Sequence, residues 1–365
     1  VRRRTAFIEW LPNLSGFLLL LGLLFLTGRA EANSLPATYC GLASQAHVEG
    51  AAIAVFGNGA VSSITCGKRD RAQKQPVTAE TVFEAASLSK PVFAYAVLKL
   101  VEAGKLDLDA PLLKYLGNLY IHEDDPFFER GRTDVVRDPV LRRTTAREVL
   151  SHTTGLPNWA STGPLSFTGQ PGRWQYSAEG YILLQRVVER ITGQPLDEWI
   201  AETVFKPLGM RHSSFIWRPA FRSNAAIGFD RSGDAERANQ YPHAVAPATL
   251  YTTLDDYGLF LQRLLDGDAI GKRMMQEQTT VDRAYGLAWG LGIGIEGKEP
   301  SLAYFHSGNN RGYKTFFMIE PEKRKGLLLL TNSDNGYSLI KPFVALALHD
   351  QHPVLDAPEL PYPKF

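Results

Sequence analysis

Ser87-Leu88-Ser89-Lys90 sets a hydroxyl and an amine three positions apart. A serine hydroxyl is a weak nucleophile and needs a base within hydrogen-bond reach. On a helix, positions i and i+3 share a face. Burial of a lysine lowers its pKa until a neutral amine is available to take the proton. The spacing alone is not selective, because Ser338-Leu339-Ile340-Lys341 has it too. The flanks separate the two. Ser87 stands where a strand-like segment, Thr81-Val82-Phe83, turns into a strongly periodic helix, whereas Ser338 follows Thr331-Asn332-Ser333-Asp334-Asn335-Gly336, which reads as a loop. A helix N-terminus also presents free N–H groups and a positive dipole end, suited to an oxyanion. An ordinary helix cap shares this local pattern, so Ser87 needs support from elsewhere in the chain.

His152 invites a triad with Ser87. Its setting, Leu150-Ser151-His152-Thr153-Thr154-Gly155-Leu156-Pro157, reads instead as a structural turn packed against the helical middle of the chain. The strained Gly-x-Ser-x-Gly elbow of the α/β-hydrolases is absent, as is the phosphate-cradling Gly-x-x-x-x-Gly-Lys-Ser/Thr. No His-Glu-x-x-His occurs, and two cysteines cannot form a zinc site alone, so neither metal nor cofactor is expected.

The elements that must position Ser87 follow from periodicity. Ala51 to Phe56 is a short apolar run of strand formers, Asn58-Gly59 follows, and Val61, Ile64 and Cys66 continue, which is a hairpin signal. From Pro91 to Val101 the apolar residues at 92, 93, 96, 97, 100 and 101 give a helix with one broad buried face, closed by Gly104. Glu179 to Ile191 repeats the helical pattern and Gly193 stops it. Tyr304–His306, Thr315–Ile319 and Gly326–Thr331 return to strands, whereas the polar stretch from Phe127 to Pro139 reads as a long surface loop. Strands at both ends with helices between them give an α/β (α+β) fold. In it one antiparallel sheet is built from both chain ends and flanked by helices, with a mostly helical insertion over roughly 105–285.

Phe83-Glu84-Ala85-Ala86-Ser87-Leu88-Ser89-Lys90 resembles the first box of the serine beta-lactamase-related family, which includes class C beta-lactamases, D-alanyl-D-alanine carboxypeptidases and related esterases. Gly104-Lys105-Leu106-Asp107-Leu108-Asp109-Ala110-Pro111, the segment around His152, Pro171-Gly172 through Tyr176-Ser177, and Lys206-Pro207-Leu208-Gly209-Met210 resemble further landmarks in the same order, so the likeness runs from about 51 to about 332. The resemblance implies a beta-lactamase/transpeptidase-like fold, with Ser87 as nucleophile, Lys90 as its base and Tyr176 as proton carrier. A phenol beside a cationic lysine ionises more easily, and a phenolate is a competent base. The family's second box usually ends in asparagine, which in beta-lactamases helps hold the substrate's amide side chain; here that position is Ala178. The third box has two candidates. Lys314-Thr315-Phe316 keeps the lysine but puts Phe where glycine is needed; His306-Ser307-Gly308 keeps the glycine and resembles the peptidase and esterase form. The second is chosen, which makes His306, Ser307, Gly308 and Asn309 the oxyanion and substrate-binding residues. The N–H groups of Ser87 and Asn309 would form the oxyanion hole, and His306 would polarise Tyr176 or meet a substrate carboxylate. Trp174 and Tyr313 are candidates for an apolar acyl pocket, although aromatics are more often core.

Residues 1–32 read as a secretory signal rather than fold. Arg2, Arg3 and Arg4 precede an apolar run from Phe17 to Leu26, and Ala30-Glu31-Ala32 supplies small residues for cleavage after Ala32. A spanning helix needs roughly 20 apolar residues, more than this run holds. The expectation is one exported catalytic domain over 33–365, periplasmic or secreted, touching a membrane only through an uncleaved signal. Cys40 and Cys66 would then meet an oxidising compartment, which leaves both a bridge and two free thiols open. The chain has 365 residues and a net charge of +1, with acidic residues interleaved among Arg130, Arg132, Arg137, Arg142, Arg143 and Arg147, so no nucleic-acid partner is expected. The reaction expected is acyl-enzyme formation on an ester, a small amide or a D-amino-acid peptide. The alternatives are a class C-like beta-lactamase and a penicillin- or peptidoglycan-binding protein that acylates without efficient turnover.

Overall fold

A computed structural model of the chain describes residues 35–360 apart from 58, 129–130, 161–163, 237–238 and 299–300. The signal segment expected at 1–32 and the hairpin residue Asn58 lie outside the described residues. The strands are β1 (Gly50–Gly57), β2 (Ala60–Asp70), β3 (Gln75–Pro76), β4 (Phe83–Ala86), β5 (Ile121–Glu123), β6 (Thr133–Val135), β7 (Leu250–Thr252), β8 (Thr279–Asp282), β9 (Leu287–Trp289), β10 (Gly294–Lys298), β11 (Ser301–Asn310), β12 (Tyr313–Glu320) and β13 (Lys325–Thr331). The α-helices are α1 (35–45), α2 (Ser89–Glu102), α3 (Ala146–Leu150), α4 (Glu179–Thr192), α5 (Leu196–Ile200), α6 (Lys206–Leu208), α7 (Leu254–Leu265), α8 (Ala269–Met274) and α9 (Ile340–Leu348).

Nine strands form one sheet in the order β3-β2-β1-β13-β12-β11-β10-β9-β8, each neighbouring pair antiparallel. The β1–β2 hairpin closes with Gly57 opposite Ala60. The first strand pairs with the last, Ala51 opposite Thr331, so both ends of the chain build the sheet centre. Side chains alternate across a strand, and β1 shows it: Ala52, Ala54 and Phe56 enter one core, Ala51 and Ile53 the other. The first core is covered by α2, α4 and α7, the second by α1 and α9. Across that second core the rings of Tyr39 and Phe343 meet at 4.7 Å. Cys40 and Cys66 form a disulfide that ties α1 to β2, with Cα atoms 5.3 Å apart.

Two local expectations are revised. The helix after Ser87 is buried from Ser89 to Leu98 rather than along one stripe, because it runs through the middle of the first core. Gly104, at φ +68°, follows its end as expected. Within the polar stretch read as a surface loop, β6 pairs with β5. Its Thr133-Asp134-Val135 is too short and too polar to carry an alternation signal. Between α2 and β8 no strand among the described residues joins the nine-stranded sheet; this part carries α3 to α8, long irregular segments, and β5, β6 and β7, of which β7 pairs with β4.

Candidate active site

Ser87 sits in the turn between β4 and α2. The residue before it, Ala86, has φ +51°, a backbone region that residues with a Cβ rarely adopt. Such strain persists only where surroundings over-determine it, and here each carbonyl of the turn has a donor. Thr315 hydroxyl donates to Ala85 O at 2.9 Å, and Ser89 hydroxyl to Ala86 O. Lys90 N–H donates to Ser87 O at 3.0 Å, and Tyr257 hydroxyl to Leu88 O at 3.0 Å. Ser89 Oγ in turn accepts the Leu250 N–H of β7 at 3.0 Å.

The helix then delivers Lys90 as its spacing requires. Its Nζ lies 3.1 Å from Ser87 Oγ and 3.1 Å from the Pro247 carbonyl. The loop holding Pro247 is fixed from α4, where Gln185 accepts the Ala246 N–H at 2.8 Å and donates to Ala244 O at 2.8 Å. Lys90 is 0% exposed, and burial holds its amine well below the ordinary lysine range. No carboxylate pairs with it among the described residues.

Tyr176 comes from the irregular segment ahead of α4 and packs against the amine that reaches Ser87. Its ring lies under Lys90, with Nζ 4.7 Å from the ring centroid. Burial pushes the phenol above its ordinary range, and the Ser87 hydroxyl offsets this only in part. The same burial favours the neutral amine of Lys90, so the surroundings work against the expected phenolate beside a cationic lysine.

The third-box residues lie on β11. β10 pairs with β11 only from Ser301 to Phe305; beyond that no strand among the described residues pairs with this edge. The backbone around Gly308 instead approaches β4 closely: a Cβ on Gly308 would lie 2.4 Å from Ala85 O and 2.2 Å from Thr315 Oγ1. Only glycine fits there. Asn309 follows Gly308 on the same edge, opposite Lys314 of β12. Ser307 alternates to the other face, opposite Phe316 of the second core, so its side chain turns away from Lys90.

His306 faces the first core, its ring 6.1 Å from that of Tyr176 and 5.6 Å from that of Trp289. Nδ1 lies 2.8 Å from Ser307 O, and a carbonyl only accepts, so Nδ1 carries the proton. Burial brings its pKa down to about 3. That shift favours the neutral ring with Nε2 bare. The rejected alternative, Lys314, is bound to Asp334 and donates to Asn310 O at 3.0 Å. The second Ser-x-x-Lys is also spent. Ser338 hydroxyl donates to Asn335 O at 2.7 Å, and Lys341 pairs with Asp356.

The structure brings in residues that sequence reasoning did not assign. His152 packs on Tyr176, not as a triad partner, with ring centroids 4.4 Å apart. Trp174 and Trp289 join this aromatic group, 5.5 Å apart. Tyr313, the other aromatic considered for an acyl pocket, is core: its hydroxyl donates to Ala226 O at 2.7 Å. Glu84, buried three residues before Ser87, is bonded to Asn310 and Asn239. A lone acid in a strand and a proline carbonyl leave no mark in sequence. The aromatic spacing Trp174-x-Tyr176 is visible there, but not what it packs against.

A family model described as Beta-lactamase matches residues 35–349. The chain is similar to Penicillin-binding protein 4 of Amycolatopsis lactamdurans, 26% identical over 335 residues that span 80% of this chain and 82% of that protein. It is also similar to Esterase EstB of Burkholderia gladioli, 34% identical over 181 residues, 41% of this chain and 42% of that protein. Among solved structures, the class C beta lactamase of Rhodobacter sphaeroides aligns with a TM-score of 0.71 at 18% identity, covering 85% of this chain and 99% of that one, which shows a shared fold.

Proposed function

The chain belongs to the beta-lactamase family, and on that premise we propose that it is a serine hydrolase working through an acyl-enzyme on Ser87. The observation that carries this reading is the clustering of two proton-handling groups at one hydroxyl: Lys90 Nζ lies 3.1 Å from Ser87 Oγ and 4.7 Å from the centre of the Tyr176 ring. Burial keeps Lys90 neutral, so it takes the Ser87 proton as Oγ attacks the substrate carbonyl. The tetrahedral oxyanion then lies against the N–H groups of Ser87 and Asn309, each donor contributing roughly 10²–10³ in rate. Tyr176, still protonated, donates to the departing oxygen or nitrogen, and Lys90 returns its proton to the tyrosine. The net result is that the serine proton ends on the leaving group. Water repeats the sequence against the acyl-enzyme and restores Ser87.

An ester or a small amide fits best, then a D-amino-acid peptide. Ala178 stands where beta-lactamases place an asparagine, and the neutral His306 offers no charge to a terminal carboxylate. The likeness to Esterase EstB supports the first choice. The likeness to Penicillin-binding protein 4 across 80% of the chain supports a second reading, acylation by a beta-lactam without efficient turnover. The signal pattern in 1–32 and the Cys40–Cys66 disulfide support export to an oxidising compartment.

Hydrolysis of a short-chain p-nitrophenyl ester by the protein and by Ser87→Ala tests the reading. Activity in the parent alone is expected; equal rates in both would remove Ser87 as nucleophile. Intact mass after incubation with a penicillin, showing a lasting adduct and no ester turnover, would move the assignment to the second reading.

A further inference from the structure

The geometry points to His152 as the positioning residue of Tyr176, a two-sided backbone clamp that holds the phenol ring against the Lys90 amine that reaches Ser87. This rests on the reading of Tyr176 as the proton carrier. Tyr176 lies in a segment without helix or strand, so no ladder of its own fixes its backbone. The two amides that flank it are instead both taken by His152. Gln175 N–H donates to the His152 carbonyl at 2.7 Å, and Ser177 N–H donates to His152 Nδ1 at 3.1 Å. The imidazole lies against the phenol ring between these bonds, 4.4 Å centroid to centroid at 34°. His152 is 0% exposed and stands at φ +58°. A histidine in that backbone region is a structural outlier that needs a reason. The rest of the turn continues the same seam: Gly172 N–H donates to Thr153 O at 2.8 Å, Ser177 hydroxyl to Pro157 O at 2.9 Å, and Ala178 N–H to Asn158 O at 3.0 Å.

The clamp also sets the ring's protonation. To accept from Ser177, Nδ1 must be bare, so the proton sits on Nε2, a buried atom with no hydrogen-bond partner among the described residues. A charged ring would break the bond to Ser177. Burial holds His152 well below the ordinary histidine range.

Steady-state ester kinetics and thermal melting on four proteins test this: parent, Tyr176→Phe, His152→Leu and His152→Asn. Asparagine keeps an acceptor one bond from Cγ, as Nδ1 is, and tolerates positive φ; leucine keeps bulk without the acceptor. Tyr176→Phe is expected to lose ~10²-fold or more in kcat, the scale of acid–base catalysis. His152→Leu is expected to lose about 10²-fold in kcat with KM within about threefold, the scale of a misplaced reacting group. His152→Asn should recover at least about tenfold of that loss, since it restores the bond that fixes the geometry. If Tyr176→Phe is inactive while His152→Leu keeps parental kcat, the clamp is overturned and the tyrosine reading stands. If His152→Asn is as slow as His152→Leu at equal melting temperature, the acceptor contact is not what matters, and the inference is overturned as well. A fully active Tyr176→Phe overturns the reading beneath it. Should His152→Leu not fold, His152→Gln, whose amide lies one bond further out, takes its place with the same expected loss.

Discussion

Glu84 and Asn310 tie the strand that leads into Ser87 to the strand that carries the third box: Glu84 Oε2 accepts from Asn310 Nδ2 at 2.7 Å. The same carboxylate accepts from Asn239, at 3.3 Å from its N–H and 3.2 Å from its side chain. One buried acid thus fixes β4, the end of β11 and the loop at Asn239 to one another.

That acid makes stability depend on pH. Burial raises Glu84 from 4.5 to about 7, against the pull of the asparagine hydrogen bonds. A carboxyl raised in this way holds its proton more tightly in the folded chain than in the unfolded one. Its contribution is complete below pH 4.5 and is lost as pH climbs to about 7, a span worth about 3 kcal/mol. Urea denaturation across pH 4.5 to 8 should show this loss in the parent and not in Glu84→Gln. Parallel profiles would remove Glu84 as its source.

Lys90→Met should abolish turnover, a loss of ~10²–10⁴ in kcat, yet raise the melting temperature. Burial depresses the lysine, so the folded state bears the cost of a deprotonated amine wherever the unfolded chain would be charged. The stability lost to Lys90 is present below the ordinary lysine pKa and relieved as pH rises toward it. Lys90→Arg should not rescue activity, because a guanidinium stays charged and cannot accept the proton. A Lys90→Met protein that melts lower than the parent would contradict this account.

Gly308→Ala should cost both stability and rate. The added methyl would sit 2.4 Å from Ala85 O, so β11 must retreat from β4. Overpacking of this kind costs about 1–3 kcal/mol, and the retreat carries the Asn309 N–H away from Ser87. Melting and kcat are expected to fall together; an unchanged kcat would show that Asn309 does not serve the oxyanion.

Replacing both Cys40 and Cys66 by serine should destabilise the fold by about 2–4 kcal/mol and leave kcat near the parental value. The disulfide spans 26 positions and lies with α1 and the second core, across the sheet from Lys90. Denaturation with and without reductant checks the first part, and ester kinetics the second.

What the sequence made legible was local. Ser87-x-x-Lys90, the helices over 89–102 and 179–192, and the hairpin at 57–60 are each set by spacing within a few turns of chain. The resemblance then placed Tyr176 and the third box in order. The long-range pairings stayed hidden, since nothing near Ala51 announces Thr331. So did the helix at 340–348, which directly follows the decoy Ser338 and the loop before it. A neutral amine at Lys90 follows from its expected burial, whereas the upward push on the Tyr176 phenol and the tautomers of His152 and His306 depend on packing and on a single carbonyl or amide brought from elsewhere.

The pairing of β1 with β13 also fixes the order in which a growing chain can become active. The ribosome delivers β1 early, and its edge has no neighbour until β13 emerges near the end of synthesis. Contacts so distant along the chain form late and slowly, and until then an apolar strand edge stays open to other chains. Ser87 is made long before His306 and both precede β13, so no fragment that ends before β13 holds the closed sheet on which the site is built. A chain cut before β13 should therefore aggregate rather than act, and one threaded through a membrane unfolded would reach the far side before it has anything to hydrolyse with.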